Sequence, residues 1–149
     1  MTKIITSFWQ PAEQMVTTRL SGLLDTADIQ YWENTLIETM KQVPDNTDVK
    51  MLVDLHGFKA ENFEVHKQYR NIIPLLLARH GYRIGYLDMF PEATITLSTE
   101  RGIRTVAMAN VHQDETKMKD YQEKFSKSFE QYFTDSAAAL AWILSVKLN

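Results

Sequence analysis

His56, Asp88, His112 and Asp114 are the residues of this 149-residue chain whose types and spacing could do acid–base chemistry. Each stands at or just past the end of an apolar run: Asp54 and His56 after one, Asp88 after a second, Asn110, His112 and Asp114 after a third. In open α/β sheets ligands settle outside the carboxyl ends of parallel strands, so neighbouring runs would gather these groups at one edge. Histidine titrates near neutrality, and a carboxylate beside it fixes its tautomer. Imidazole nitrogen and carboxylate oxygen are also ligands for a divalent metal. The plainer reading is structural. Asp114 is well placed to cap the helix that follows it, and His-x-Asp lacks the helical pairing that gives H-E-x-x-H its geometry. No G-x-S-x-G elbow, Walker loop or dinucleotide fingerprint occurs, and five glycines leave little material for one. The residues therefore point to no cofactor and no resident metal, with the His/Asp set as the alternative, enzymatic reading.

Two further groups suit binding better than catalysis. Lys67, Arg70, Arg79, Arg83, Arg101 and Arg104 form a basic group able to draw an anionic headgroup, although Arg79 and Arg101 also suit last helical turns, where cations favour the dipole. Tyr86, Met89 and Phe90 lie close to Tyr82 and Leu87, after the Leu75-Leu76-Leu77 segment that follows Pro74. They could border a cleft for an apolar ligand or a dimer surface; packing into a core is the competing use. The ligand-binding set expected from sequence is Tyr86, Met89 and Phe90 for apolar contact and Arg79 and Arg83 for an anionic end. His66 and His80 have no evident partners and receive no role; Trp32 and Trp142 read as core anchors.

Composition narrows the classes. The chain has no cysteine, which excludes disulfides, thiolate nucleophiles and Cys-type metal sites. Its 16 basic residues against 19 acidic ones give a net charge of −3, the wrong sign for a dedicated nucleic-acid binder. The start has too short an apolar stretch for a signal peptide, and the Ile72–Ala78 run falls far short of the ~20 residues that span a bilayer. A cytoplasmic protein without a transmembrane segment is expected.

The elements that must position these residues follow from periodicity. Lys3–Trp9 and Met15–Leu24 read as a hairpin turned by Gln10–Glu13. Asp25, Thr26 and Asp28 open a helix whose Ile29, Trp32, Leu36 and Met40 recur at helical spacing until Pro44. Lys50–Leu55 reads as a central strand covered on both faces. Glu61–His80 reads as helix that Pro74 must kink or restart. Tyr82–Met89 is predicted as a strand and Pro91–Gly102 as a helix, with proline inside its start and glycine past its end. Arg104–Val111, Asp114–Lys127, Phe129–Phe133 and Asp135–Lys147 follow as strand, helix, strand and helix. No repeat or linker interrupts the chain, so one domain over 1–149 is expected, an α/β sandwich with a mixed, mostly parallel sheet, right-handed crossovers and helices packed on it.

The order β-β-α-β-α, the strand Met51-Leu-Val-Asp-Leu55 and the closing Phe133-Thr-Asp-Ser-Ala-Ala-Ala-Leu-Ala-Trp-Ile143 resemble the STAS-like superfamily. Within it the chain is most similar to the SpoIIAA-like branch, a fold related to the lipid-binding CRAL-TRIO domain. Residues 82–102 then stand as an additional β-α unit. The resemblance implies a regulatory or binding module rather than an enzyme, one that binds an apolar or lipid-like molecule, a peripheral membrane surface or a protein partner; a homodimer is expected. It also implies a test of the superfamily's phospho-switch, a serine at the start of the helix after the third strand. No serine or threonine occurs between Thr47 and Thr94, so that switch is excluded. An interaction scaffold with exposed helix faces is the third reading.

Overall fold

Alternating apolar runs and well-capped helices build one sheet with helices on both of its faces. The computed structural model describes residues 2–89 and 95–148. Strand β1 (Ile4–Gln10) pairs antiparallel with β2 (Met15–Leu24) from Ile4 opposite Ser21 to Gln10 opposite Met15, and the 3₁₀ turn Pro11–Glu13 joins them. Helix α1 (Thr26–Gln42) starts at a complete capping box: the Asp25 side chain accepts from the Asp28 N–H, and Asp28 accepts in return from the Asp25 N–H. Two of the four orphan donors at that helix end are thereby satisfied. Strand β3 (Asp48–Asp54) lies between β2 and β5 (Arg104–Val111), parallel to both, and β6 (Glu130–Phe133) adds in parallel beyond β5. A three-residue strand β4 (Phe58–Ala60), which the periodicity does not show, pairs with the end of β2. The sheet order is β1-β2-β3-β5-β6, with β4 off that path.

Side-chain alternation divides the core into two layers. Val16, Leu20, Met51, Val53 and Met108 face α1 and the later helices α2 (Phe63–Tyr69) and α3 (Ile72–Arg79). Helix α4 (Glu115–Phe125) packs on β6. On the other face Met15, Leu52, Ala107 and Ala109 meet α5 (Ser136–Ser145). The small alanines of β5 let that helix approach closely. Lys50 points to the same side, buried, and its Nζ donates to the Ile143 carbonyl at 3.0 Å. A cation so placed adds a second donor to a last-turn carbonyl of α5, which also accepts the Val146 N–H at 3.2 Å, and complements the helix dipole.

Three sequence expectations need correction. The Glu61–His80 span is two helices: of the two alternatives at Pro74 the restart is what occurs, with the break slightly earlier, at Arg70 and Asn71. Pro74 stands in the first turn of α3, where a missing N–H leaves no helical bond unmade. Tyr82–Met89 is not a strand: Tyr82 and Ile84 are buried, but the Gly85 N–H is taken by the Glu130 carboxyl, and Gly85–Met89 winds into a 3₁₀ turn. No α-helix runs over 95–102 either; Glu100–Gly102 winds into a 3₁₀ turn. The Ser98 N–H pairs with the Ala78 carbonyl at 2.9 Å, and Arg101 adopts a left-handed φ of 57°. The β-branched Thr94-Ile95-Thr96 run favours that outcome. Residues 90–94, including Phe90, lie outside the described residues.

Candidate functional site

The carboxyl ends of β3 and β5 open into a cavity of about 460 Å³. Its floor is Val53 of β3 and Leu55 just past it, Asn110 of β5 and His112 just past it, and Tyr132 of β6. The walls come from His66 and Tyr69 of α2 with its C-cap Arg70, Ile73 and Leu75 of α3, and Lys117, Met118 and Tyr121 of α4. Tyr86, Leu87 and Ile95, flanking the 90–94 stretch, close another side. The volume is within the ~300–1,000 Å³ usual for small-molecule pockets. Apolar and aromatic side chains dominate the lining, with a few polar groups among them.

Tyrosines shape much of the surface. Tyr121 packs against Tyr86 and Tyr132 with ring centroids 5.8 and 5.7 Å away, and edge-on against Phe125 at 5.4 Å. Tyr69 is braced from behind by Phe58 at 4.5 Å and by the buried Trp32 at 5.8 Å. Below Tyr132 lies Glu130, 0% exposed, whose carboxyl accepts hydrogen bonds from the Tyr82 and Tyr132 hydroxyls and from the Gly85 N–H. This network ties the 82–89 segment to β6 and holds one cavity wall in place. Only glycine fits at position 85: an added Cβ would stand 2.7 Å from a Glu130 oxygen and 2.8 Å from the Phe125 carbonyl.

The network sets an alkaline limit on stability. Burial, then the hydrogen bond and charge of Glu130, push the Tyr82 and Tyr132 hydroxyls far above their ordinary range. Released from the fold, both ionise near the ordinary value of 10.0. Above that pH the unfolded chain binds fewer protons than the folded one, so stability falls by ~1.4 kcal/mol per pH unit for each tyrosine. Below it the pair contributes no slope. Urea unfolding followed from about pH 8 to about pH 11 should show a plateau and then this decline. The Tyr82→Phe/Tyr132→Phe variant should decline less steeply.

The polar rim is basic. His112 accepts the Asp114 N–H through Nδ1 at 3.1 Å, so the neutral ring carries its proton on Nε2. Its pKa is lowered, first by burial and then by the Lys117 charge, with Asp114 opposing and His56 and His66 adding to the depression. Burial, then Lys117 and Arg70, lowers His66 as well. Burial also lowers Lys117, against the pull of Asp114.

The structure sorts the residues expected from sequence. His56 and His112 follow adjacent strands, β3 and β5, which pair in parallel. The carboxylates are engaged elsewhere: Asp114 caps α4 by accepting from the Lys117 N–H at 3.0 Å, and the exposed Asp88 pairs with Arg83 at 3.0 Å. Among the described residues no three His, Cys, Asp or Glu side chains group as metal ligands. Of the ligand-binding set, Tyr86 lines the cavity. Met89 is 46% exposed and, like Arg79 and Arg83, is not part of the lining. Arg101 holds the end of α1, donating to the Met40 and Val43 carbonyls and pairing with Asp45 at 2.7 Å. Arg104 pairs with Asp48 at 3.1 Å. Tyr69, Tyr121, Tyr132, His66 and Lys117 were missed as lining residues. For the helical ones the signal was spacing, His66 with Tyr69 and Lys117 with Tyr121; Tyr132 stands on β6 and had none.

A family model described as SpoIIAA-like matches residues 15–144. The chain belongs to the SpoIIAA-like family. The matched span runs from the start of β2 to the last turn of α5 and includes every strand but β1. No curated protein sequence matches the chain. SpoIIAA-like domains, as STAS-type domains, are generally regulatory or protein-interaction modules. In this SpoIIAA-like domain the helix after β3 and β4 begins at Asn62, whose side chain accepts the Val65 N–H at 3.1 Å, with no serine or threonine nearby to phosphorylate. No helix of the described residues is long and apolar enough to cross a membrane.

Proposed function

We propose that this SpoIIAA-like domain is a non-enzymatic ligand-binding module whose cavity takes an apolar, lipid-like small molecule. The observation that carries the reading is the cavity itself: about 460 Å³ at the strand carboxyl ends, walled by Tyr69, Tyr86, Tyr121, Ile73 and Leu87. An aromatic and aliphatic lining gains from excluding water over an apolar ligand, at ~25 cal/mol for each Å² of apolar surface removed from it. The carboxylates that acid–base catalysis would need are committed to a helix cap and a surface ion pair. A regulatory role follows if the occupied and empty forms present different surfaces to a protein partner, since a ligand shifts an equilibrium by its differential affinity for the two states. Titration with 1-aminoanthracene, a neutral apolar fluorophore, tests the reading. The expected result is saturable enhancement with one site per chain; a linear, unsaturable signal would count against it.

A further inference from the structure

Four basic side chains line the cavity, His66, Arg70, His112 and Lys117, and no aspartate or glutamate is among its described lining residues. That bias is opposite to the chain as a whole, where 19 acidic residues outnumber 16 basic ones. The four come from three separate places: α2 and its C-cap give His66 and Arg70, the residue after β5 is His112, and α4 gives Lys117. Lys117 is half-buried, and among the described residues its ammonium has no hydrogen bond or ion pair; it stands over the Tyr121 ring at 5.5 Å. The neighbouring carboxylate, Asp114, spends an oxygen on the α4 cap at 3.0 Å. With Nδ1 of His112 taken by the Asp114 N–H, the remaining ring nitrogen is a donor without a partner among the described residues. Burying like charges together is costly unless something of opposite sign compensates them.

We infer that the molecule held in this cavity carries an anionic head, a carboxylate or a phosphate, bound by Lys117 and His112 with His66 and Arg70 beside them. This rests on the apolar-ligand reading and adds the chemical class of the ligand: a single-chain amphiphile whose tail lies against Ile73, Tyr86 and Tyr121. The charge crowding at the rim supports it, since burial and the Lys117 charge lower both His66 and His112. An anion arriving there relieves that crowding. The basic residues expected from sequence to meet an anionic end, Arg79 and Arg83, lie outside the lining; Lys117 takes that place in the structure.

Calorimetric titration of the full chain with decanoate, decyl phosphate, decanol and decyltrimethylammonium separates the two claims. The expected result is about 10- to 100-fold tighter binding of at least one anion than of decanol, the range of a charge-assisted hydrogen bond or two, with the ammonium weakest. The stronger anion names the head. Lys117→Gln should bring anion and alcohol to similar affinities, and Lys117→Arg should restore the preference. Equal binding of decanol and both anions by the native chain would overturn the anionic head and leave the apolar cavity standing. An unchanged preference in a folded Lys117→Gln protein, checked by circular dichroism, would remove Lys117 from the site. Binding of none of the four would overturn the apolar-ligand reading itself.

Discussion

Replacing Glu130 with alanine should destabilise the fold by about 3–5 kcal/mol, because it leaves several buried donors without an acceptor, each costing ~1–3 kcal/mol. Glu130 is fully buried, and its carboxyl receives the Tyr82 and Tyr132 hydroxyls and the Gly85 N–H. Tyr82 and Tyr132 are each only 6% exposed, so water cannot take over without the segment opening. Glu130→Gln should also be costly, since an amide has one acceptor oxygen to serve three donors. Removing both hydroxyls with the carboxyl, as Tyr82→Phe/Tyr132→Phe/Glu130→Leu, should cost less than Glu130→Ala alone, because only the Gly85 N–H is then left without its acceptor. Urea unfolding of the three proteins measures this. A loss below about 1 kcal/mol for Glu130→Ala would show that the buried network is not what ties the 82–89 segment to β6.

Trp32→Ala should be comparably damaging, at ~3–5 kcal/mol, the usual cost of emptying a large buried aromatic site. Trp32 is 0% exposed on α1, and its Nε1 donates to Thr18 Oγ1 at 2.7 Å. Thr18 is joined in turn to Ser7 at 2.8 Å, and Ser7 to Thr35 at 2.9 Å, so a chain of hydroxyls binds β1, β2 and α1 together. The indole also backs Tyr69 in the cavity wall. Loss of the ring should therefore weaken ligand binding as well as stability. Trp32→Phe keeps an aromatic backing, and Thr18 still has Ser7 and the Thr6 carbonyl as partners. It should recover most of the loss in urea unfolding; equal damage from both variants would contradict the packing account.

The regular elements were legible because each announces itself locally. The capping residues Asp25 and Asp114, the 3.6-residue spacing in α1 and the apolar run of β3 depend on neighbours a few positions away. The segments 82–89 and 95–102 were misread because their partners are distant. Gly85 bonds to Glu130, and Arg101 to the end of α1, pairings that no local period encodes. The site was half legible. The rule that strand ends gather function placed His112 and Asn110 at the cavity floor, and Tyr86 was found from its aromatic neighbourhood. Lys117, Tyr121 and Tyr132 could be recognised only once β6 was known to pair with β5 and α4 to pack on β6, because on their own they read as an ordinary amphipathic helix and an edge strand.

The central claim is that the space between these elements is a ligand site and not a packing defect. Val53, on the floor, is 2% exposed, and Val53→Phe extends a ring into the space above it. Such overpacking costs ~1–3 kcal/mol, less where a void receives the added atoms. Titrating 1-aminoanthracene into the native chain and into Val53→Phe, with matching circular dichroism, asks the question most directly. The account predicts saturable binding by the native protein and at least about tenfold weaker binding by the filled variant, a loss of ~1.4 kcal/mol. Equal affinity of the two proteins, or no saturable binding by the native chain, would contradict it.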